Sequence, residues 1–247
     1  MPSSAGIGKE EFLASVRRAL GRSPGPPAAA YPRLEETTQD LEDQARELRL
    51  RLETQGPRLM DQLATVAELQ GWKVHRAEDP EDAMAAVLAV ADSVGARTAV
   101  RTGQDVFDEV PLDAGAMNWG LAVFTATHDE GLDRQAVRDR IIEAEIGITG
   151  ADYAVAETGS VVVVPRQGLG RLVSLVPPVH VAVVRPQDVV ETLDDVFLLR
   201  RLEYHRNGGE MGSYLNFITG PSRTADIEQT LVVGVHGPKE AHMVLLG

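Results

Sequence analysis

The chain has 247 residues, 43% of them hydrophobic and 25% charged, which are ordinary values for a globular protein with a sizeable core. It contains no cysteine, which excludes disulfides, thiolate nucleophiles and iron–sulfur clusters held by this chain. Its net charge of −13 disfavours nucleic-acid partners, and the sequence has neither a membrane-length apolar run nor a signal-peptide core. We therefore expect a soluble, cytoplasmic protein.

The first predicted element is a short amphipathic helix over residues 9–20, with Gly21 where the helix would stop. Residues 23–32 follow with four prolines, which favour an extended linker. Residues 1–34 are thus predicted to form a tethered N-terminal helix and its linker. The apolar stripe of this helix docks either on its own domain or on a neighbouring molecule.

A long helical region is predicted over residues 35–70. Apolar residues recur there at helical spacing, at Leu41, Ala45, Leu48 and Leu52, and again at Leu59, Leu63, Val66 and Leu69. Because Pro57 separates the two stripes, the region is either two packed helices or one helix kinked at the proline. Together with an α/β core over residues 71–247, it would make up a second domain at 35–247.

Short apolar runs alternate with helical segments after Gly71. Strands are predicted at 72–75, 96–102, 121–125, 151–156, 160–164, 180–184 and 214–219, with a terminal pair around His236, and helices at 79–95, 132–144, 189–204 and 224–229. The helix at 132–144 is expected to turn Ile141 and Ile142 inward. This order predicts an α/β fold, a mixed-direction sheet flanked by helices.

The segment 147–160, GITGADYAVAETGS, carries the first candidate site. Two strands are separated there by Glu157, Thr158 and Gly159, so the carboxylate lies at a strand end. A carboxylate in that position can act as a base, a nucleophile or a ligand for a hydroxylated substrate. Alternatively, Glu157 and Thr158 satisfy the amides of the turn.

A second candidate is the loop containing Gly168, Gly170 and Arg171, where two glycines would let a phosphate or carboxylate approach the backbone beside a guanidinium. A flexible hairpin tip explains the same residues. A third candidate runs from Thr219 to Asp226, where free amides at a helix start would attract an anion. That loop contains Gly220, Ser222, Arg223, Thr224 and Asp226, and helix capping accounts for most of them equally well.

His236 stands between an apolar strand and a Gly-Pro turn, as a general acid/base or as a structural histidine. The six histidines show no metal-ligand spacing, so no metal site is predicted. No nucleotide-binding or nucleophile-elbow motif is present.

Three ordered motifs carry a family resemblance: the segment 147–160, LVSLVPPVHVAVV at 172–184, and FITGPSRTADIEQTLVVGVHGPKEAHMVLL at 217–246. Together they resemble the LUD (lactate-utilisation) domain, and more narrowly the lactate utilisation protein C family. The resemblance implies a Rossmann-like fold similar to the NagB/RpiA/CoA-transferase group. The matching motif positions include Thr149, Asp152, Glu157, Thr158, Gly159, Gly220, Ser222, Thr224, Asp226 and His236. Glu157 corresponds to the nucleophilic glutamate of the transferase relatives.

The resemblance also implies a function. Such a protein would work beside two iron–sulfur partners, the lactate utilisation proteins A and B, in the oxidation of L-lactate to pyruvate. A cysteine-free chain suits a non-redox component that binds a small carboxylate or a nucleotide, alone or as a homo-oligomer. Alternatives are an independent enzyme of the 5-formyltetrahydrofolate cyclo-ligase or CoA-transferase-like class, and an interaction scaffold. Whether the chain has chemistry of its own stays open.

Overall fold

The computed structural model describes residues 9–21, 36–126, 134–166, 170–209, 212, 214–225 and 231–247, within two compact units, Met1–Asp40 and Leu41–Gly247. The first unit contains helix α1 (Lys9–Ala19), which confirms the predicted amphipathic helix. At the end of this unit, Thr37 Oγ1 accepts a hydrogen bond from the Asp40 N–H (3.2 Å), and the Asp40 carboxylate accepts one from the Thr37 N–H (3.1 Å). This reciprocal cap defines the start of the next helix.

Helices and strands alternate along most of the remaining chain. In order they are α2 (Thr38–Gln70), β1 (Lys73–Ala77), α3 (Pro80–Ser93), β2 (Thr98–Arg101), α4 (Val106–Glu109), α5 (Leu112–Trp119), β3 (Ala122–Thr125), α6 (Arg134–Glu143), β4 (Ile146–Gly150), β5 (Tyr153–Val155), β6 (Ser160–Val163), α7 (Leu172–Leu175), β7 (Val179–Val184), β8 (Val189–Val190), α8 (Leu193–Arg206), β9 (Asn216–Ile218), β10 (Arg223–Ala225), β11 (Leu231–Val233) and β12 (Glu240–Leu246). The predicted α/β class is confirmed. Among the described helices, none is both long enough and apolar enough to cross a bilayer.

Residues 38–70 form one continuous helix, α2, with Pro57 inside it. This decides between the two arrangements that the sequence left open. The predicted stripes are buried at Leu41, Leu48 and Leu63, whereas Leu69, at the end of the helix, is 77% exposed. The apolar spacing therefore identified the packed face of α2 but continued one turn too far.

Six of the described strands form a sheet in the order β1-β12-β7-β4-β2-β3, in which every pair is parallel. One face is covered by α3 and α5, through residues such as Val87 and Leu112. The other face packs against α2, where Leu63 and Ala67 meet Ala182 and Met243. The sheet thus forms the centre of the fold, with helices on both faces.

A second sheet, in the order β8-β5-β6-β9, combines one parallel and two antiparallel pairs. It lies on the α2 face of the large sheet, where Val161 and Val163 belong to the same apolar cluster as Leu63. The mixed strand directions predicted for the fold are therefore found in this smaller sheet. The central sheet is parallel because helices make its crossover connections, whereas the turn at 156–159 forms an antiparallel hairpin.

Four local predictions were wrong. Residues 189–190 form strand β8, and helix α8 begins only after the cap at Thr192. Thr224 pairs with Val232 in a two-stranded ribbon and is not the start of a helix, while residues 226–229 lie outside the described part. The last strands do not pair with each other, because β12 enters the parallel sheet between β1 and β7. Ile142 is 55% exposed, since only Val137 and Ile141 of α6 are buried.

Candidate functional site

The carboxyl ends of β2 and β4 are neighbours in the described parallel sheet, and we call the region formed by these two strand ends the crevice. From β2 the chain continues outward to β3, whereas from β4 it continues in the opposite direction to β7. Open α/β sheets bind ligands where the winding direction reverses in this way. The residues that directly follow these two strands are therefore the first candidates for function.

Gln104 organises the floor of this crevice. Its Oε1 accepts hydrogen bonds from the Gly150 N–H and from the Thr102 hydroxyl, both at 2.8 Å. Its Nε2 lies 3.5 Å from a carboxylate oxygen of Asp152. Gln104 and Thr102 are both buried, so their hydrogen bonds join the ends of β2 and β4 in a protected environment.

Asp152 links the crevice floor to its rim. Its Oδ2 accepts a hydrogen bond from the Val164 N–H (2.7 Å), and its Oδ1 accepts one from the Arg166 guanidinium (2.6 Å). The Asp152 side chain is 14% exposed, whereas that of Arg166 is 50% exposed. The inner carboxylate is thus fixed, while the outer cation remains accessible to an anionic group from solution.

Arg185, at the end of β7, fixes the neighbouring part of the same edge. It makes a two-point ion pair with Asp188, through Nε at 2.9 Å and a terminal nitrogen at 3.1 Å, and it also contacts Glu109 (2.8 Å) and Asp105 (3.1 Å). These carboxylates raise the pKa of Arg185 above its already high value. Because Asp105 follows Gln104 directly, this network anchors the loop that forms the crevice.

Thr149 lies inside the sheet and not in the crevice. It is 1% exposed, and its hydroxyl is 3.0 Å from Nε2 of His180, which is fully buried. Burial lowers the pKa of His180 to about 3, with a smaller contribution from His242. Thr149 and His180 therefore form a neutral contact inside the protein.

The Glu157 turn lies at the start of α8. One Glu157 carboxylate oxygen accepts a hydrogen bond from the Leu193 N–H (3.2 Å), as expected of an acid at a helix N-terminus. Thr158 donates to Ser160 (2.8 Å), whose hydroxyl is 2.7 Å from that of Thr219. This hydroxyl chain connects the turn to the 219–225 loop, so the structure brings those two candidates together.

Gly159 and Gly220 both allow backbone to lie directly on α2. Gly159 has φ +65°, and a Cβ there would stand 2.7 Å from the Ala67 backbone nitrogen. Gly220 has φ +81°, and its Cβ would stand 2.3 Å from the Gln70 carbonyl oxygen. Arg223 donates to that same carbonyl at 2.9 Å. These residues close the end of α2 in the described structure, which leaves their predicted ligand contacts untested.

The remaining candidates are dispersed. The Ser222 N–H donates to the Pro238 carbonyl (2.9 Å), and Arg171 lies over the Tyr214 ring at 5.4 Å, beside the exposed Gly170. His236 is exposed. It lies near the amino edge of the sheet, since the N–H of Lys239, three residues later, donates to the Pro178 carbonyl just before β7. It does not converge with Asp152. Gly168 and Asp226 lie outside the described residues.

A model of the LUD domain matches residues 60–246, a span that includes both the crevice and the hydroxyl chain. The chain belongs to the LUD domain family. The resemblance that the three motifs indicated is thereby confirmed.

Two relatives of the same name match nearly the whole chain, and a third matches part of it. "Lactate utilization protein C" of Halalkalibacterium halodurans is 33% identical over 245 residues, covering 96% of this chain and 97% of the relative. The protein of the same name from Bacillus pumilus is 27% identical, covering 96% of each chain. That of Bacillus subtilis is 40% identical over 104 residues, which cover 42% of this chain and 43% of the relative.

One solved structure has a similar fold. It is the crystal structure of a DUF162 family protein from Deinococcus radiodurans, with a TM-score of 0.50 and 21% identity, covering 78% of this chain and 98% of that one. At this identity the likeness supports the fold alone. It agrees with the central parallel sheet and its flanking helices.

Sequence reasoning found only Asp152 among the crevice residues of this LUD domain. It missed Thr102, Gln104, Arg166 and Arg185. Three of these had a usable signal. Thr102 directly follows β2, Arg185 directly follows β7, and Gln104 lies three residues after β2, and ligand sites of α/β sheets collect after strand ends. Arg166 had none, because its role depends on β6 folding back beside Asp152.

Proposed function

We propose that this LUD-domain protein acts in lactate utilisation, as a cysteine-free component of an assembly that oxidises L-lactate to pyruvate. The observation that carries the proposal is the match to lactate utilisation protein C of Halalkalibacterium halodurans, at 33% identity over 96% of the chain. A match that extends along both proteins makes a shared role of the whole chain a better explanation than a shared module.

Within that role, we assign substrate binding to the crevice at β2 and β4. Lactate and pyruvate are small carboxylates, and Arg166 presents a half-exposed guanidinium that can pair with a carboxylate. Asp152 holds this guanidinium in place, and Gln104 and Val164 hold Asp152. The arrangement supplies binding and orientation. The electrons of lactate oxidation would pass to redox centres on partner proteins.

No specific observation favours the transferase or cyclo-ligase alternative. That alternative gives Glu157 the part of a nucleophile, yet its carboxylate accepts a hydrogen bond from the first residue of α8. Such a contact lowers the nucleophilicity of the carboxylate oxygen that accepts it. The structural explanation of Glu157, as an acid at a helix start, needs no ligand.

Growth of a deletion strain tests the proposed role. A strain that lacks this gene and any duplicate of it is expected to lose growth on L-lactate as sole carbon source, and to keep growth on pyruvate. The intact gene should restore growth on L-lactate. Undiminished growth of the deletion strain on L-lactate would contradict the proposal.

Co-purification tests the predicted partners. The tagged full-length protein, isolated from cells grown on L-lactate, is expected to bring iron-containing proteins with it, detectable by iron analysis and visible absorbance. Because this chain has no cysteine, cluster iron in the sample must come from a partner. An iron-free preparation from lactate-grown cells would argue against iron–sulfur partners of the kind proposed.

A further inference from the structure

A groove of about 740 Å³ lies between α2 and the carboxyl ends of β1, β7 and β12, on the opposite side of β7 from the crevice. This volume is in the range of cofactor and small-molecule sites, roughly 300–1,000 Å³. The lining residues from α2 lie along one stripe of the helix, from Arg49 to Asp61. Arg76, Gly247 and residues 186–189 form the other wall.

Two residues in the α2 wall are poor choices for the interior of a helix. Gly56 and Pro57 stand side by side near the middle of α2, and both line the groove. Relative to alanine, glycine and proline in a helix interior cost about 1 and 3 kcal/mol respectively. A Cβ at Gly56 would meet no atom within 4 Å, so neither packing nor backbone conformation requires a glycine there. What a side chain at Gly56 would do is occupy the groove.

Pro57 also changes the hydrogen bonding of this wall. A proline has no N–H, so the carbonyl of Glu53 lacks the donor that residue i+4 supplies elsewhere in a helix. Glu53 lines the groove. We therefore take the Glu53 carbonyl as the backbone acceptor for a ligand bearing a hydroxyl or an N–H.

The side-chain charges along the groove balance. Two arginines, Arg49 and Arg76, line it together with two acids, Glu53 and Asp61. Arg76 and Asp61 pair at 2.7 Å. Between the charged residues, apolar surface comes from the largely buried Leu52, Met60 and Val189. A groove with no net charge, in a protein of net charge −13, gives an anion no advantage.

We propose that this groove binds an uncharged, largely apolar small molecule that carries one hydroxyl or N–H donor. Its apolar body lies on Leu52, Met60 and Val189, in the space left open by Gly56. Its donor bonds to the Glu53 carbonyl. This site is separate from the crevice at β2 and β4, and the proposal does not depend on the role in lactate utilisation.

Two fluorescent probes with the same aromatic ring system test the proposal on the full chain. N-phenyl-1-naphthylamine is uncharged and has one N–H, whereas 8-anilinonaphthalene-1-sulfonate adds an anionic group to the same ring system. We expect saturable binding of one N-phenyl-1-naphthylamine per chain, at least about fivefold tighter than the sulfonate, because the groove provides no net positive charge. Equal or tighter binding of the sulfonate would overturn the assignment of an uncharged ligand.

Two leucine variants locate the probe. Gly56→Leu fills the groove and should weaken N-phenyl-1-naphthylamine binding at least about tenfold while the protein melts no lower, since leucine is the better helix former. Thr54→Leu adds the same side chain on the same turn of α2, outside the groove lining, and should leave binding unchanged. Unchanged binding in Gly56→Leu would overturn the site. So would loss of the probe as protein concentration rises, which would place a second copy of the chain in the groove.

Pro57→Ala tests the hydrogen bond. Alanine restores an N–H for the Glu53 carbonyl, so this variant should bind N-phenyl-1-naphthylamine about threefold or more weakly. N-methyl-N-phenyl-1-naphthylamine, which has no N–H, should bind wild type and Pro57→Ala equally. If both probes weaken alike in Pro57→Ala, the Glu53 carbonyl is not the acceptor.

Discussion

At the carboxyl edge of the parallel sheet, charged side chains are held by opposite charges, whereas at the amino edge imidazoles are buried in neutral form. At the carboxyl edge, Arg185 forms ion pairs with Asp105, Glu109 and Asp188. Asp152 pairs with Arg166 at the same edge. At the amino edge, His180 is fully buried next to the ring of Trp72, with centroids 5.9 Å apart. The amino edge also carries an exposed ion pair, Lys73 with Glu240, but its imidazoles lie beneath the surface.

The pair of His75 and His242 shows how neighbouring imidazoles of the same sheet stay neutral. His242 is 3% exposed, and its Nδ1 lies 3.0 Å from Nε2 of His75, with the two rings stacked. Burial, together with His75 and Lys73, lowers the pKa of His242 to about 4, although Glu240 opposes this shift. The two edges should therefore differ in how their stability depends on pH. The carboxyl edge is held by ion pairs, whereas protonation of the buried histidines would destabilise the amino edge.

The largest effect on stability is expected from breaking the Arg185 network. Arg185→Leu leaves the Asp188 carboxylate, 10% exposed, without its cation, and should lower the free energy of unfolding by about 3–5 kcal/mol in urea titrations. The double variant Arg185→Leu/Asp188→Leu removes the stranded charge and should recover part of that loss. Arg46→Gln, which breaks an exposed pair with Asp43, is the control and should change stability by less than about 1 kcal/mol. A single-variant loss as small as that of the control would contradict the comparison.

Acidification should affect the amino edge next. The pKa of His180 is about 3 in the folded protein and about 6.5 in the unfolded chain, so the unfolded chain binds more protons below pH 6.5. Stability from this group is complete above about pH 7 and falls as the pH drops through 6.5, by about 2 kcal/mol at pH 5. Urea titrations between pH 7.5 and pH 5 measure this slope.

His180→Gln isolates the contribution of that histidine. Glutamine keeps a polar contact for Thr149 but does not titrate, so the variant is less stable at pH 7.5 and shows a shallower pH dependence down to pH 5. Contacts lower the pKa of carboxylates such as Glu145 and Asp113. The stability that these groups contribute is therefore lost only at lower pH, and they add little to the slope between pH 7.5 and pH 5. The same slope in wild type and His180→Gln would show that His180 is not the sensor.

A moderate effect is expected at Gln104. Gln104→Leu removes the acceptor of the Gly150 N–H and of the Thr102 hydroxyl, two buried groups, and should cost about 1–3 kcal/mol in urea titrations. Gln135→Leu on α6 changes an exposed glutamine that bonds Asp139, and serves as the matched control. Equal stability of the two variants would mean that Gln104 does not hold β2 and β4 together.

Helices and strands could be predicted from the sequence where residues close together in the chain determine them. The cap Asp79 and Pro80 placed the start of α3 correctly, because the Asp79 carboxylate accepts the Asp82 N–H at 2.8 Å within four residues of chain. The strand predicted at 180–184 is likewise found, as β7 (Val179–Val184), since a buried parallel strand is largely apolar on both faces. Residues within such an element and next to it are sufficient to predict it.

The pairing of strands that are far apart in the chain could not be predicted from the sequence. Strand β12 enters the sheet beside β1, which is more than 160 residues earlier, and no local pattern records that register. The crevice residues are also far apart in the chain, because Gln104 follows β2, Asp152 follows β4 and Arg166 follows β6. Glu157 attracted the prediction because glycine and a turn surround it, but the Leu193 N–H that it binds is 36 residues away.

A substitution of Arg166 distinguishes a polar group that binds a ligand from one, like Arg185, that stabilises the carboxyl edge. Its side chain is half exposed, so Arg166→Gln should change the free energy of unfolding by less than about 1 kcal/mol, far below Arg185→Leu. If Arg166 binds the substrate carboxylate, the same variant should fail to restore growth on L-lactate in the deletion strain, while Arg46→Gln restores it. Comparable protein levels in the two complemented strains are the necessary control. Full restoration by Arg166→Gln would remove substrate binding from this arginine and leave it, like Arg185, a structural partner of a carboxylate.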